Sequence, residues 1–126
     1  MTSSPTIGTE DQLLSACFQW AWNTYPATRR LLYHVPNELD RVPGESASNH
    51  IRRLSQAKAK GVVPGIPDLV LIWNARIWAW ELKTATGTVS STQREVHTIW
   101  AAQGAPVSIV RTLEDFQRQF TEIIGA

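Results

Sequence analysis

The chain has 126 residues, of which 43% are hydrophobic, and its 12 basic and 11 acidic residues give a net charge of +1. This composition supports an apolar core and excludes a wholly disordered chain. No run approaches the roughly 20 apolar residues that a membrane-spanning helix needs, and Met1 to Gly8 lacks the pattern of a signal peptide. The single cysteine, Cys17, cannot form an internal disulfide. We therefore expect a cytoplasmic protein without membrane contact, with a flexible arm over residues 1–8 and one domain over residues 9–126.

The first half of the chain predicts two helices separated by a short strand. Thr9 and Gln12 form the pattern of a helix N-cap, and the apolar residues that follow recur at helical spacing. Residues 31–35 are short and apolar enough for a strand. A second helix is predicted to begin at Ser46 or Ser48, and its shared face is formed by Ile51, Leu54 and Ala57.

The second half predicts a hairpin followed by a helix, a strand and a final helix. Residues 68–73 and 77–83 are rich in β-branched and aromatic side chains, which favour strands. A third helix is expected from Ser91, with Val96, Ile99 and Trp100 inward, then a strand over residues 107–111 and a helix capped by Thr112. This order of elements predicts an α/β domain in which helices flank a small mixed sheet.

Three charged residues converge in the predicted hairpin. Side chains alternate along a strand, so Glu81 and Lys83 share one face while Leu82 lies on the other. A turn centred just after Asn74 makes Asp68 the cross-strand partner of Glu81, with Cβ atoms about 5 Å apart. Two carboxylates and one ammonium group are therefore expected at one edge of the sheet.

Two carboxylates at that separation repel each other, and a divalent cation relieves the repulsion by accepting an oxygen from each. Mg²⁺ suits such a site because it prefers oxygen ligands and keeps several waters. It can polarise a phosphoryl oxygen and make a water more acidic. Lys83 would orient or help deprotonate the attacking water, or hold the phosphate by charge. For the motif alone, an ordinary surface ion pair is the competing interpretation.

The segments around these residues resemble the VRR-NUC (virus-type replication-repair nuclease) domain of the PD-(D/E)xK nuclease superfamily. The resemblance rests on Gly61–Leu69, Trp80–Lys83 and Gly87–Gln93, in this order. Glu10 and the segment His34–Glu38 also match, so the resemblance extends from the first helix to the last. It implies a restriction-endonuclease-like core, consistent with the predicted elements.

The resemblance also implies an activity. It implies that the chain uses Mg²⁺ or Mn²⁺ to hydrolyse DNA phosphodiester bonds and leaves a 5′-phosphate. Small stand-alone members resemble Holliday-junction resolvases and act as homodimers, so the resemblance implies an endonuclease for branched DNA or four-way junctions. A phage origin would fit a compact domain of this kind, and the protein would then work in the host cytoplasm.

By the same resemblance, the metal ligands are Asp68 and Glu81, joined by the backbone carbonyl of Leu82. Lys83 matches the catalytic lysine. Gln93 matches a glutamine at the start of the next helix, from which it would reach the lysine or the phosphate.

Other residues are expected at the edge of the site. Glu10 matches a first-helix glutamate that joins the metal shell through water, and Asn37 and Glu38 match positions near the cleft. Ser91 lies at a helix N-terminus, where backbone N–H groups can receive a phosphate. A basic stretch offers further phosphate contacts from Arg52, Arg53, Lys58 and Lys60.

Two alternatives to a DNA endonuclease are open from the sequence. One is a non-catalytic nucleic-acid-binding or assembly module on the same fold, and the other is a nuclease for RNA or for single-stranded ends. The three histidines, His34, His50 and His97, do not have metal-ligand spacing. We expect them to be structural or on the surface, with His34 the nearest to the site.

Overall fold

A computed structural model describes residues 8–36 and 40–125 of the chain. Its helices are α1 (Glu10–Thr24), α2 (Ala47–Ala59), α3 (Ser91–Ala102) and α4 (Leu113–Gly125), with a short 3-10 turn at Pro26–Thr28. Its strands are β1 (Leu32–His34), β2 (Leu69–Trp73), β3 (Arg76–Leu82) and β4 (Val107–Val110). The predicted fold class, a small mixed sheet flanked by helices, is confirmed. The predicted arm lies almost entirely outside the described residues.

The four strands form one sheet in the order β1-β2-β3-β4. β1, β2 and β3 are antiparallel neighbours, whereas β4 pairs with β3 in parallel. A parallel neighbour requires a crossover connection, and α3 supplies it. Between β2 and β3, Asn74 and Ala75 both have positive φ values, 51° and 61°. Such residues form the two-residue turns whose twist suits a hairpin.

The hydrophobic core lies between one face of the sheet and the pair of helices α1 and α4. The sheet contributes Leu69, Leu71, Trp80 and Leu82, and the helices contribute Leu13, Cys17, Ala21, Phe116 and Phe120. The ring centroids of Trp80 and Phe116 are 5.1 Å apart, and the indole N–H of Trp80 donates to Gln119 at 3.1 Å. The apolar face predicted for the first helix is therefore confirmed by the burial of Leu13, Cys17 and Ala21.

Helices α2 and α3 are packed more loosely than their periodicity suggests. Ile99 was expected to point inward and is 56% exposed, so that expectation was wrong. Ile51, on the shared face of α2, is 63% exposed, and none of the residues of α2 is buried. Apolar periodicity defines a face of a helix, but that face is buried only where another surface covers it. On the core side of the sheet, α1 and α4 already occupy that surface.

Neither α2 nor any other helix among the described residues is long and apolar enough to cross a membrane.

The irregular loop before β2 approaches α3 closely at Gly65. This glycine has a φ of +86°, and a Cβ added to it would lie 2.9 Å from the carbonyl oxygen of Thr92 and 3.1 Å from Cγ2 of Val96. The loop therefore needs glycine here both for its backbone conformation and for space. The contact fixes the segment that leads directly into Asp68.

We predict that Gly65→Ala destabilises the protein more than Gly104→Ala does. Gly104 has the same φ of +86° and nothing within 4 Å of an added Cβ. Both variants should lose about 1–2 kcal/mol for a left-handed alanine, and Gly65→Ala a further 1–3 kcal/mol, roughly, for the clash with α3. Urea denaturation measures both free energies of unfolding. Equal losses would mean that the loop does not depend on its contact with α3.

Candidate active site

Asp68, Glu81 and Lys83 meet at the end of the β2–β3 hairpin. The strand pairing Leu69↔Trp80 has the predicted register, and Asp68 lies one residue beyond it. The backbone N–H of Asp68 donates to Trp80 at 3.0 Å, and Oδ2 of Asp68 accepts from the backbone N–H of Leu82 at 2.7 Å. The Asp68 carboxylate is thereby fixed against the backbone of β3, next to the side chain of Glu81.

Glu81 is a buried carboxyl group on the face of the sheet opposite the core. Only 2% of the residue is exposed. Burial, followed by a hydrogen bond to Asp68 and the negative charge of Asp68, raises the pKa of Glu81 from its ordinary 4.5 to about 9, against the opposing effect of Lys83. A buried carboxylate with an acidic neighbour favours a proton or another cation.

This donor set fits a hard divalent cation. Asp68 and Glu81 offer carboxylate oxygens side by side, and Mg²⁺ binds through one or two carboxylates while keeping waters. Within residues 8–36 and 40–125, no group of three or more His, Cys, Asp or Glu side chains is placed to hold a metal ion, so protein side chains alone would not complete the coordination. The arrangement therefore suits a partly hydrated ion better than Zn²⁺, which prefers closed nitrogen and sulfur sites.

Lys83 extends the site toward the N-terminus of α1. The residue is 8% exposed, and its Nζ lies 3.6 Å from Oε1 of Glu10, in the first turn of that helix. Glu10 is half exposed, so the ion pair opens to solvent on one side. The structure thus brings Glu10, which the resemblance placed at the edge of the site, into contact with the proposed catalytic lysine.

A polar cleft of about 310 Å³ opens beside these residues. Its acidic lining comes from Glu10, Asp11, Asp40 and Asp68, and His34 lies on its wall. Nδ1 of His34 donates to the backbone carbonyl of Asp68 at 2.8 Å, which supports that residue from β1. A cleft rich in carboxylates attracts a cation before it attracts a phosphate.

Gln93 and Ser91 lie at the start of α3, and Gln93 is already engaged. Ser90 is the N-cap of the helix, and its hydroxyl accepts from the N–H of Gln93 while Oε1 of Gln93 accepts from the N–H of Ser90. This reciprocal capping box holds the Gln93 side chain on the helix end rather than on Lys83. A contact of Gln93 with the lysine or with phosphate stays a prediction, as does the phosphate contact of Ser91.

His97 is a site residue that the sequence did not single out. Its Nε2 lies 3.2 Å from Oε1 of Glu81, and its side chain is 11% exposed. Burial lowers the pKa of His97 below its ordinary value. One signal could have found this residue: it follows Gln93 by four positions, which is one helical turn on the same face.

The expected DNA contacts are not at the carboxylate pair itself. Arg52 and Lys58 are exposed on α2, and Lys60 is exposed directly after it. Arg53 instead donates to Glu45 at 2.9 Å, and this hydrogen bond is the main reason that the pKa of Glu45 falls to about 2. Arg53 therefore joins α2 to the segment before it. The two remaining candidates, Asn37 and Glu38, lie outside the described residues.

Comparisons with known proteins support the same fold. A family model described as the VRR-NUC domain matches residues 9–113. A solved structure of a VRR_NUC domain protein has a TM-score of 0.75, with 17% sequence identity, over 96% of this chain and 92% of that chain. At this identity the structural likeness shows the fold alone. No match was found among curated proteins.

We predict that the metal-free protein loses stability as the pH rises from about 4.5 to about 9, the window set by the pKa of Glu81. In this window the folded state keeps a proton that the unfolded state has released, so the free energy of unfolding falls with rising pH. Glu81→Gln should remove this part of the slope. Thermal unfolding in EDTA across this range measures it.

Glu95→Gln is the control for this experiment, because Glu95 is an exposed glutamate on α3. It should leave the slope unchanged. Identical slopes for the wild type and Glu81→Gln would contradict the assignment of the raised pKa to Glu81.

Proposed function

The chain belongs to the VRR-NUC family of nuclease domains, and we propose that it is a divalent-metal-dependent endonuclease that hydrolyses DNA phosphodiester bonds. One observation carries this proposal. Buried Glu81 lies against Asp68 on a face of the sheet that is otherwise suited to packing, and buried Lys83 follows two residues later. Two adjoining carboxylates on a purely structural sheet face would lower the stability of the fold, because they lose hydration and repel each other.

Each residue has a distinct role in the proposed reaction. Asp68 and Glu81, with the backbone carbonyl of Leu82, hold the cation. Mg²⁺ or Mn²⁺ bound there supplies charge neutralisation of the phosphate and a more acidic water. Lys83 orients the attacking water through its ammonium group, and Glu10 limits the movement of that group by the ion pair at 3.6 Å. The oxygen of this water would form a new bond to phosphorus in line with the P–O3′ bond, which would break and give a 5′-phosphate and a 3′-oxygen that takes a proton to become a hydroxyl group.

The proposed substrate is branched DNA, cut by a homodimer. A homodimer has two active sites related by a two-fold axis. These two sites could cut two symmetry-related strands of a four-way junction. This part rests on what the resemblance of the sequence to the VRR-NUC family implies. A substrate ranking and a solution mass test it separately from the chemistry.

Helix α2 is the proposed backbone contact for the DNA outside the cleft. Residues 46–67 contain four basic side chains and no acidic ones. The helix buries none of its residues, and Arg52 and Lys58 on it and Lys60 directly after it are exposed. This charge can attract phosphates that the acidic cleft would repel.

We predict that cleavage requires Asp68 and Lys83. A labelled four-way junction, a plain duplex and a single strand would be incubated with Mg²⁺, Mn²⁺ or EDTA. Asp68→Ala should abolish cleavage because one cation ligand is lost, and Lys83→Ala should reduce it by about 100-fold or more, the usual contribution of a positioned proton-transfer group. Glu95→Ala, a surface change on α3, should cut like the wild type.

The same assay separates the alternatives. If the protein binds DNA without metal, cleaves no substrate and binds equally well in both variants, the proposed enzyme activity is rejected. The protein would then be a binding module. Preference for the single strand, or cleavage of an RNA strand added to the panel, would reject the junction as substrate while keeping the chemistry. Circular dichroism must first establish that each variant is folded.

We predict that Lys58→Ala combined with Lys60→Ala weakens duplex binding and its dependence on salt. Removing two phosphate contacts should reduce the slope of log affinity against log salt by about 1.8. Fluorescence anisotropy in EDTA, where no cleavage occurs, measures both quantities. Arg30→Ala combined with Arg118→Ala removes the same charge from exposed positions on other parts of the chain and should change the slope less. Equal effects would mean that α2 has no special role.

A further inference from the structure

His97 contacts a proposed metal ligand from a separate element. It lies on α3, whereas Glu81 lies on β3, and the two side chains are separated by 16 positions in the chain. Both are largely buried, with side-chain exposures of 11% for His97 and 3% for Glu81. A buried polar contact between two elements fixes their side chains more firmly than an exposed one, because water does not compete for it.

The chemistry of Glu81 determines what this contact does when a cation is present. A carboxylate that binds a cation is ionised and can only accept hydrogen bonds. The ring nitrogen Nε2 of His97 lies 3.2 Å from Oε1 of Glu81 and can donate a hydrogen bond to this carboxylate.

We propose that His97 is a positioning residue that donates from Nε2–H to Oε1 of Glu81 and thereby strengthens divalent-cation binding. The inference rests on the proposed function and deepens it. The bond fixes the orientation of the carboxylate and leaves its other oxygen for the cation. Hydrogen bonds to the ligands of a metal are typically worth 10- to 100-fold in affinity.

The test is Mn²⁺ affinity, measured by isothermal titration calorimetry and by the loss of the free-ion signal in electron paramagnetic resonance. His97→Leu removes the donor while keeping a similar volume, and it should weaken binding by about 10- to 100-fold. His97→Gln places an amide N–H near the position of Nε2 and should restore much of the affinity. Wild-type affinity in folded His97→Leu would overturn the proposal.

The chain offers a matched control in His50. His50 lies on α2, and its Nδ1 is 3.2 Å from Oε1 of Glu45, just before that helix, which is the same separation as in the His97 contact. His50→Leu should leave Mn²⁺ affinity unchanged. An equal loss in His50→Leu and His97→Leu would also overturn the proposal, because it would show a general effect on folding.

A measurement on the unmodified protein covers the case in which His97→Leu does not fold. In ¹⁵N-histidine NMR, added Mg²⁺ should shift the Nε2 resonance of His97, and this nitrogen should keep its attached proton. The Nε2 resonance of His50 should stay in place. An unshifted His97 resonance at saturating Mg²⁺ would contradict the proposal.

Failure of the proposed function gives a different result from failure of this inference. If the wild type and Asp68→Asn both show negligible Mn²⁺ binding, the metal site itself is absent. The proposed metal-dependent nuclease and the proposed role of His97 are then both rejected. If Asp68→Asn loses binding that His97→Leu retains, the metal site stands and the role of His97 is rejected.

Discussion

The contact between the Asp68 and Glu81 carboxyl groups is the constraint on which the rest of the structure depends. Two acids that share a buried position are unfavourable for the fold unless a proton or a metal ion lies between them, and the raised pKa of Glu81 reflects this. The surroundings of the pair maintain the arrangement. The backbone N–H of Leu82 holds Asp68, His97 contacts Glu81, and Lys83 supplies a positive charge nearby.

The opposite face of the same hairpin provides the stability that this arrangement requires. Leu69, Leu71, Trp80 and Leu82 alternate with the site residues and are buried against α1 and α4. Burial of such side chains contributes about 1.5–3 kcal/mol each, which offsets the unfavourable charges on the other face. Because the side chains of a strand alternate, one hairpin can provide both a core surface and a reactive surface.

Helices α1 and α3 also connect the fold to the site. α1 packs on the core through Leu13 and Cys17 while its first residue, Glu10, reaches Lys83. α3 crosses the other face and brings His97 to Glu81, and its first turn meets Gly65 in the loop before Asp68. By contrast, α2 buries none of its residues, and its Arg52 and Lys58 are exposed. The charge of the described residues is thus divided between an acidic cleft and a basic segment around α2.

The sequence by itself determined the elements, the register of the hairpin and the shared face of Glu81 and Lys83. These features depend on neighbours in the chain: strand periodicity separates Glu81 from Leu82, and a two-residue turn at Asn74 and Ala75 fixes the register. The helix caps at Thr9, Ser46 and Thr112 were also predictable, since each hydroxyl accepts from an N–H three positions later.

Only the tertiary structure decided which helix faces meet the sheet and which stay in solvent. Helical spacing placed Ile99 on an apolar stripe, but no partner surface covers it. The same spacing places His97 one turn after Gln93, but its contact with Glu81 depends on how the α3 crossover lies across the sheet. Gln93 caps its own helix for a similar reason: its local partner, Ser90, is within reach. Local periodicity fixes a face, whereas contacts between distant segments depend on the packing of the whole domain.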